Sequence, residues 1–286
     1  MAIRKWALSL LPKDEQRLIS QMRELGQKGM SFKGYYDGSE LTVLKGMKGE
    51  LGKAFVRHKG GNESVLDDPR DFQRLKAIYF TGDLQALPKG EKDIVESINF
   101  MKDQGYGCAV LYQGKTEYAE PFDVLKAAVK GHKSIGFVDR EQAFTEISVS
   151  DDLADLKAIH CNQGLESYSK KELKLISLIQ DLMGKGYTFQ ADTNFANVDS
   201  LGNKVSVTRY YPVGVLAVLK GLRCGNTNLW LYKDNTRIPI SQFLDTVSMF
   251  DKIEELRNEE PPPPESSIRE DDGFVIIGGV RLPVKG

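Results

Sequence analysis

The sequence predicts a mixed α/β (α+β) fold made of three tandem divergent repeats followed by a Pro-rich acidic tail. Each repeat has the order helix, one or two strands, helix, β-hairpin and helix. The first observation behind this prediction is a tripeptide that occurs three times, each time with a glycine four or five residues after its lysine. The copies are Val43-Leu44-Lys45, Val124-Leu125-Lys126 and Val218-Leu219-Lys220. Recurrence at this spacing indicates units of about 80 residues, each large enough for a small core.

The second observation is the apolar pattern of the helix that opens each repeat. Its apolar residues have the i, i+1, i+4, i+7 spacing of one buried helix face. The first set recurs twice with its internal spacing unchanged: Leu18, Ile19, Met22 and Leu25; Ile94, Val95, Ile98 and Met101; Leu175, Ile176, Ile179 and Leu182. Gly29, Gly105 and Gly186 follow these helices and predict left-handed C-caps before a strand.

The third observation is an identical tetrapeptide in the helix that closes the first two repeats. The copies are Leu75-Lys76-Ala77-Ile78 and Leu156-Lys157-Ala158-Ile159, and the offset between them equals the offset between the first two tripeptides. This agreement of spacing and identity indicates duplication. The third copy diverges but keeps apolar residues at helical spacing: Phe243, Leu244, Val247, Met249, Phe250 and Ile253.

The strands are predicted from alternating or β-branched segments bounded by turn residues. One strand follows the first helix of each repeat, and a second fits only in the second and third repeats. Each second helix leads into a hairpin, at 54–66, 135–147 and 229–240. Proline cannot donate a ladder hydrogen bond, so Pro239 predicts that its strand lies at a sheet edge.

These elements predict repeat units at 1–84, 85–165 and 166–257, and a Pro-rich linker with a C-terminal strand at 258–286. Four consecutive prolines, Pro261 to Pro264, favour an extended polyproline segment. The tail has six acidic and three basic residues, against 34 acidic and 36 basic residues in the rest of the chain. Neither part has the strong basic excess of a dedicated duplex-binding domain.

Composition is that of a soluble protein, with 41% hydrophobic and 28% charged residues and no apolar run long enough for a membrane span. Cys108, Cys161 and Cys224 are an odd number of cysteines without a CxxC pair, which argues against a disulfide framework and a zinc site. We therefore expect an intracellular, cytoplasmic protein. The oligomeric state is open at this point.

Motifs for catalysis are absent from the sequence. His58, His132 and His160 lie in no metal-ligand pattern, and the glycine-rich segments do not match a phosphate-binding loop. His160 and Cys161 are adjacent, but a nucleophile and its base meet through the fold rather than in sequence. We expect no enzyme activity, no catalytic residues, no metal site and no cofactor. An enzyme with an unrecognised site is the third-ranked hypothesis.

Basic residues recur after the tripeptides and suggest nucleic-acid binding as an alternative function. They are Lys45, Lys48, Lys53 and Arg57 in the first repeat, Lys126, Lys130 and Lys133 in the second, and Lys220 and Arg223 in the third. If the repeats were aligned, these cations could follow a phosphate backbone. The competing interpretation is that they stabilise helix C-termini and keep their charge in water.

The tail carries the candidate partner-binding residues: Asp271, Asp272, Phe274, Val275, Ile276 and Ile277. This segment resembles the acidic, then aromatic-x-x-aliphatic peptides that bind ubiquitin-like autophagy receptors, which implies addition as a strand to a partner's sheet edge. The competing interpretation is that it folds back onto the protein's own sheet. We therefore expect a non-enzymatic protein-interaction scaffold or inhibitor, whose partner is another protein.

Overall fold

The chain forms two compact units, residues 1–242 and 243–286. A computed structural model describes residues 8–132, 134–162, 164–198, 204–224, 228–240, 274–277 and 280–283. The larger unit contains eight described helices and three antiparallel sheets, which confirms a mixed α/β fold. The smaller unit contains one described strand pair, and we describe it by itself.

The described residues of the larger unit contain eight α-helices, and two short 3₁₀ helices, at Thr81–Ala86 and Leu165–Ser167, span the boundaries between the predicted repeat units. The α-helices are α1 Lys13–Gln27, α2 Glu40–Met47, α3 Asp71–Tyr79, α4 Lys89–Asp103, α5 Pro121–Lys130, α6 Ser150–Cys161, α7 Lys170–Gly184 and α8 Val215–Cys224. We call residues 13–79, 89–161 and 170–239 the first, second and third regions.

Each region has one sheet. The strands are β1 Ser31–Lys33, β2 Ala54–Arg57 and β3 Glu63–Leu66; β4 Gly107–Tyr112, β5 Lys115–Tyr118, β6 Ile135–Val138 and β7 Phe144–Glu146; and β8 Thr188–Val198, β9 Lys204–Pro212, β10 Leu229–Lys233 and β11 Thr236–Pro239. Their orders are β1-β2-β3, β5-β4-β6-β7 and β9-β8-β10-β11.

The three sheet orders share one plan. In each, the strand after the opening helix pairs with the first strand of the later hairpin. The second and third sheets add β5 and β9 on the outside of that strand, whereas the first sheet has no described strand there. This agrees with the lack of room in the first predicted repeat. Strand β11, which ends at Pro239, lies at a sheet edge as predicted.

The opening helices are followed by glycines in the left-handed conformation, as the sequence predicted. Gly29, Gly105 and Gly186 have φ values of +95°, +91° and +83°, a conformation that costs glycine little. The next residue in each case donates its backbone N–H to the carbonyl oxygen five residues back, as in a Schellman motif. These pairs are Met30 with Leu25, Tyr106 with Met101 and Tyr187 with Leu182, at 3.2, 3.1 and 3.0 Å.

The core follows the apolar pattern of these helices. All twelve predicted face residues of α1, α4 and α7 are buried. Complete burial of a leucine or isoleucine side chain contributes about 1.5–3 kcal/mol, so each opening helix is held in the core by several such contributions. In each region the glycine turn connects this buried helix to the first strand of the sheet. The second helix of the region, α2, α5 or α8, follows later in the chain.

Neighbouring regions contact each other through corresponding helices. Helix α3 of the first region packs against α5 of the second, and α6 of the second packs against α8 of the third. Helices α3 and α6 contain the identical tetrapeptides. The third-region counterpart predicted at 243–253 lies outside the described residues.

The smaller unit contains β12 Phe274–Ile277 paired in antiparallel fashion with β13 Val280–Pro283. The predicted polyproline segment lies outside the described residues. Among the helices that the structure describes, none is long and apolar enough to cross a membrane.

Candidate functional site

The lysine of the second tripeptide is buried between the first and second regions. Lys126 is only 6% exposed. Its Nζ donates to the carbonyl oxygen of Val65 at 2.6 Å, to Asp67 Oδ1 at 2.7 Å and to Asp71 Oδ2 at 3.3 Å. All three acceptors belong to the segment that runs from the end of β3 to the start of α3. Lys126 thus joins α5 to the preceding region, and we call this contact the first junction.

The lysine of the third tripeptide makes the corresponding contact between the second and third regions, which we call the second junction. Lys220 Nζ donates to Asp152 Oδ2 at 2.8 Å and lies 3.4 Å from Ser148 Oγ and 3.5 Å from the carbonyl oxygen of Glu146. Its three acceptor residues follow those of Lys126 by one constant offset, which is also the offset between the two tetrapeptides. The two junctions are therefore built at equivalent positions.

The acceptor carboxylates are held in place by their own backbone. Asp71 Oδ2 accepts the backbone N–H groups of Asp67 and Asp68 at 3.0 and 3.2 Å. Asp152 Oδ2 accepts those of Ser148 and Val149 at 2.7 and 3.1 Å. A carboxylate in the first turn of a helix satisfies free N–H groups and interacts favourably with the helix dipole. Each carboxylate is therefore positioned to accept the lysine.

The charges within each junction interact strongly. Burial acts to raise the pKa of Asp67, but hydrogen bonds from Lys126 and Lys130 outweigh it and hold that pKa at about 2. Burial also acts to raise the pKa of Asp152, and the hydrogen bond from Lys220 reverses the shift, so its pKa is lowered. Both carboxylates are charged at neutral pH, as a lysine partner requires.

An apolar side chain one helical turn before each lysine completes the contact. Phe122 precedes Lys126 and Leu216 precedes Lys220, and both are fully buried. The Phe122 ring lies 6.4 Å from the ring of His58 in the first region, and Lys126 Nζ lies 5.4 Å from the Phe122 centroid. Residues at i and i+4 lie on one helix face. Each junction therefore combines one apolar and one cationic side chain.

A buried ionic cluster strengthens the first junction. The guanidinium of Arg74, fully buried, donates from Nε and Nη2 to both oxygens of Glu91 at 2.9 and 2.7 Å. Its Nη1 donates to Asp71 Oδ1 at 3.0 Å and to Asp68 Oδ2 at 3.2 Å. Asp71 therefore connects Arg74 with Lys126. A buried charge that is paired in this way is costly to break.

A second polar cluster crosses the first junction around His58. His58 Nε2 lies 2.8 Å from Ser64 Oγ, and Ser64 Oγ donates to Asp123 Oδ2 at 3.0 Å. Glu120, at the start of α5, accepts from Tyr79 OH at 2.6 Å and from the Asn62 amide at 3.1 Å. Burial raises the pKa of Asp123 to about 6, and burial lowers the pKa of His58.

This cluster contains the residue types of a hydrolytic triad but not its geometry. In a triad the base takes the serine proton and is oriented by a hydrogen bond from its other nitrogen. Here the Ser64 hydroxyl donates to Asp123, and His58 Nδ1 lies 3.9 Å from the nearest Glu120 oxygen, outside hydrogen-bond range. His58 and Ser64 are also buried, and their hydrogen bonds tie the two regions together.

Both junctions border cavities of similar size. The cavity at the first junction has a volume of about 420 Å³, and that at the second has a volume of about 340 Å³. Five lining positions correspond, by the tetrapeptide offset or by the offset between the second and third tripeptides: Glu63 and Phe144, Val65 and Glu146, Asp123 and Ala217, Lys126 and Lys220, Ile135 and Leu229. Three of these pairs differ in charge, namely Glu63 and Phe144, Val65 and Glu146, and Asp123 and Ala217.

The structure distributes the nine predicted basic residues among several environments. Lys126 and Lys130 both contact Asp67, Lys220 contacts Asp152, and Lys48 pairs with Glu15. The Nε of Arg57 donates to the carbonyl oxygen of Gly61 at 3.3 Å. Lys45 and Lys53 are exposed, and neither has an ion pair within the described residues. Arg223 belongs to α8, and Lys133 lies outside the described residues.

The predicted partner-binding residues of the tail are described only in part. Phe274, Val275, Ile276 and Ile277 form β12 and pair with Pro283, Leu282, Arg281 and Val280 of β13. Asp271 and Asp272 lie outside the described residues. The strand predicted from the sequence is therefore present, and its described neighbour is β13.

Sequence reasoning identified the junction lysines but missed their acceptors. Asp71 and Asp152 each lie four residues before one of the identical tetrapeptides. That shared placement was a signal that could have selected them. No corresponding signal marks Arg74, His58 or Asp123, because the aligned residues Asp155, Asp139 and Ala217 differ in type.

Within the described residues, no three histidine, cysteine, aspartate or glutamate side chains are arranged to hold a metal ion. No protein-family model, curated protein or solved structure matches the chain.

Proposed function

We propose that the chain is a non-enzymatic protein-interaction scaffold or inhibitor built from three copies of one α/β unit, at 1–84, 85–165 and 166–257. The observation that carries this proposal is the lysine–aspartate junction, made twice at positions related by fixed offsets. The shared strand order of the three sheets supports the same view. Duplication of a unit together with its junction accounts for both observations.

The role as a scaffold follows from what the junctions do. They fix each unit to the next, so that related surfaces are presented at set intervals along the chain. Several weak contacts on such an array gain affinity through effective concentration. The buried polar side chains of the first junction serve to join units, which favours a structural role for them over catalysis.

The segment 258–286 is proposed to be the recognition element for a protein partner. Strand β12 is the outer strand of a two-stranded sheet in the described residues, and an outer strand can pair with the sheet edge of another protein. In this arrangement Phe274 and Ile277 enter pockets of the partner, and Asp271 and Asp272 meet a basic rim.

An intracellular, cytoplasmic location is part of the proposal. Cys108 and Cys161 are free thiols, and burial raises the pKa of Cys108 to about 12, which keeps it protonated. Free thiols are typical of reducing compartments.

Capture from a host lysate tests the proposal. We would compare the full chain, a chain truncated after Asn258, and Phe274→Ala, each with and without nuclease. Leu282→Ala is the matched control, since it shortens an apolar side chain on the neighbouring strand. We expect one protein to be retained by the full chain and by the control, and lost from the other two.

The nucleic-acid alternative predicts a different result. Its support is weaker because Lys126, Lys130 and Lys220 already contact carboxylates. Recovered material that is nuclease-sensitive, indifferent to the tail and released steeply by salt would favour that alternative and contradict the scaffold proposal.

A further inference from the structure

We propose that a cavity between the second and third regions binds a small aromatic molecule that carries an anionic group, and that Arg140 pairs with this anion. The cavity is bordered by the C-terminal ends of α4 and α6, the β6–β7 turn and α7, and we call it the α6–α7 cavity. The inference goes beyond the proposed function, because a small-molecule site requires neither a protein partner nor the tail.

The size and lining of the α6–α7 cavity are those of a small-molecule site. Its volume is about 530 Å³, which exceeds that of either junction cavity and lies within the usual range for bound ligands. In its lining Ile159 is buried, and Met183 and Val215 are half-buried. Four polar lining residues are exposed, namely Gln104, Arg140, His160 and Gln180. The cavity therefore has an apolar interior and a polar rim.

The equivalent space at the first junction is filled by side chains of the protein itself. Tyr79 OH donates to Glu120 at 2.6 Å, and the Tyr79 ring lies 5.3 Å from the ring of His58. The ring of Phe122 lies 6.4 Å from the same imidazole. His58, Glu120 and Phe122 are all buried. Three aromatic rings and a carboxylate therefore occupy this position between the first and second regions.

The side chains that fill the first junction have smaller counterparts at the second. The pairs, related by the tetrapeptide offset or by the offset between the second and third tripeptides, are His58 and Asp139, Tyr79 and His160, Glu120 and Gly214, and Phe122 and Leu216. Asp139 and His160 line the α6–α7 cavity, as does Val215, which lies between the other two counterparts in sequence. Protein interiors are close-packed, so a loss of side-chain volume at four equivalent positions accounts for the open space.

The walls of the α6–α7 cavity favour an aromatic guest. The His160 ring meets the rings of Tyr106 and Phe100 edge to face, with centroids 5.4 and 6.5 Å apart. His160 Nδ1 lies 3.3 Å from Tyr106 OH, and His160 Nε2 lies 3.3 Å from Gln104 Oε1. Both ring nitrogens are thus engaged, and the imidazole is held as an aromatic wall. Aromatic pairs in such arrangements are stabilised beyond their burial, and aromatic rings fill the corresponding space at the first junction.

The anionic group of the ligand is inferred from Arg140. This residue is exposed and has no ion pair or hydrogen bond within the described residues. Its guanidinium lies against the turn after α4, since a Cβ added to Gly105 would be 3.0 Å from Arg140 Nε. Asp139 Oδ1 accepts the backbone N–H groups of Glu141 and Ala143, each at 2.9 Å. A guanidinium binds a carboxylate through two parallel hydrogen bonds, and Arg140 offers such donors at the rim of the cavity.

The counterpart of Arg140 in the first region is Lys59, related to it by the tetrapeptide offset. Lys59 lies against the turn after α1 in the same way, since a Cβ added to Gly29 would be 2.9 Å from Lys59 Cε. A cation at this place stabilises the C-terminus of the opening helix in both regions. Arg140 also borders the α6–α7 cavity, so Lys59 is the matched control for a role of Arg140 beyond its helix.

Titration of the full chain with three ring compounds of different charge tests the proposal. The probes are benzoate, benzyl alcohol and benzylammonium, each followed into the millimolar range by two-dimensional amide NMR spectra. We expect benzoate to shift the signals of Gln104, Tyr106 and Glu141, and to bind about tenfold more tightly than benzyl alcohol because it gains a charge-assisted pair. We expect benzylammonium to bind more weakly than benzyl alcohol.

Three variants connect the binding with the cavity. Arg140→Gln should weaken benzoate binding about tenfold and leave the affinity for benzyl alcohol within about twofold. Lys59→Gln should bind all three probes as the wild type does. Val215→Phe places a ring in the cavity and should abolish binding of benzoate and benzyl alcohol alike. Arg140 and Lys59 are exposed, so the comparison of their variants does not depend on how Val215→Phe folds.

The proposal is overturned if no probe shifts the signals of the cavity, if benzylammonium binds more tightly than benzoate, or if Arg140→Gln binds benzoate as tightly as the wild type does. Benzoate that shifts the signals around Lys59 instead has the same consequence. None of these results affects capture of a partner through Phe274. Failure of the ligand proposal is therefore distinguishable from failure of the proposed function.

Discussion

The first and second junctions use the same lysine–aspartate contact but surround it differently. At the first junction Asp71 also binds Arg74, and the His58, Ser64 and Asp123 cluster lies alongside. At the second junction alanine and aspartate stand at the positions of Asp123 and Arg74, and the side chain of Lys220 is 28% exposed, against 7% for Lys126. The lysine–aspartate contact that both junctions share is thus sufficient to join two regions. The additional polar clusters strengthen only the first junction.

The largest expected difference between the two junctions comes from Arg74, which has no basic counterpart at the second junction. Arg74→Leu leaves Asp71 and Glu91 buried without their main cation, and we expect a loss of about 3–5 kcal/mol in the free energy of unfolding. Urea denaturation measures it. Arg70→Leu is the control, because the Arg70 side chain is 55% exposed and its loss should cost less than about 1 kcal/mol. Equal effects of the two substitutions would contradict the assigned role of Arg74.

The next comparison is between the two junction lysines. Lys126→Met removes three hydrogen bonds from a buried site, and we expect a loss of about 2–3 kcal/mol. Lys220→Met acts on a more exposed ammonium with one short contact, and we expect about 1 kcal/mol. Denaturant titration of the two variants under identical conditions gives the ranking. A larger loss in the free energy of unfolding for Lys220→Met than for Lys126→Met would contradict our assignment of the first junction as the stronger one.

The third comparison concerns Asp123, which has Ala217 as its counterpart in the third region. Its folded pKa is raised from 3.8 to about 6, so the neutral carboxyl is favoured in the folded state. Its contribution is fully present below about pH 4 and is lost as the pH rises through about 6. Asp123→Asn keeps an acceptor for Ser64 and removes the titration. We expect a gain of about 1–2 kcal/mol at pH 8 and little change at pH 4, measured by thermal unfolding at each pH.

The matched control for the pH effect is Asp155→Asn in α6, which tests a carboxylate away from the Ser64 cluster. Asp123→Asn should gain stability between about pH 4 and pH 8 relative to this control. If Asp123→Asn has the same stability difference from the wild type at both pH values, the carboxyl of Asp123 does not titrate in the folded protein as assigned.

Much of the fold could be predicted because it depends on local rules. The glycine after each opening helix requires a positive φ, the apolar spacing fixes the buried face, and Pro239 excludes a central strand. Each of these rules acts within a few residues. The strand order of the sheets was not predicted, because the first hairpin strand of the second and third sheets pairs with β4 or β8 and not with the strand immediately before it in the chain.

The junctions could not be predicted by the same reasoning. Lys126 has its acceptors 55 to 61 residues earlier in the chain, and Lys220 has them 68 to 74 residues earlier. A lysine near a helix end is compatible with solvent, phosphate or carboxylate, and only the packing of α5 on α3 selects among them. The sequence interpretations considered a surface role for these cations, whereas Lys126 is buried.

The account depends most on the claim that one lysine–aspartate contact recurs at both junctions, and double-mutant cycles test it directly. We would combine Lys126→Met with Asp71→Asn, Lys220→Met with Asp152→Asn, and, as the control, Lys126→Met with Asp152→Asn. Free energies of unfolding give the coupling of each pair. We predict couplings of about 1–3 kcal/mol for the first, about 0.5–1.5 kcal/mol for the second and less than about 0.5 kcal/mol for the control. Absence of coupling in either contacting pair, or an equal coupling in the control, would contradict a repeated junction.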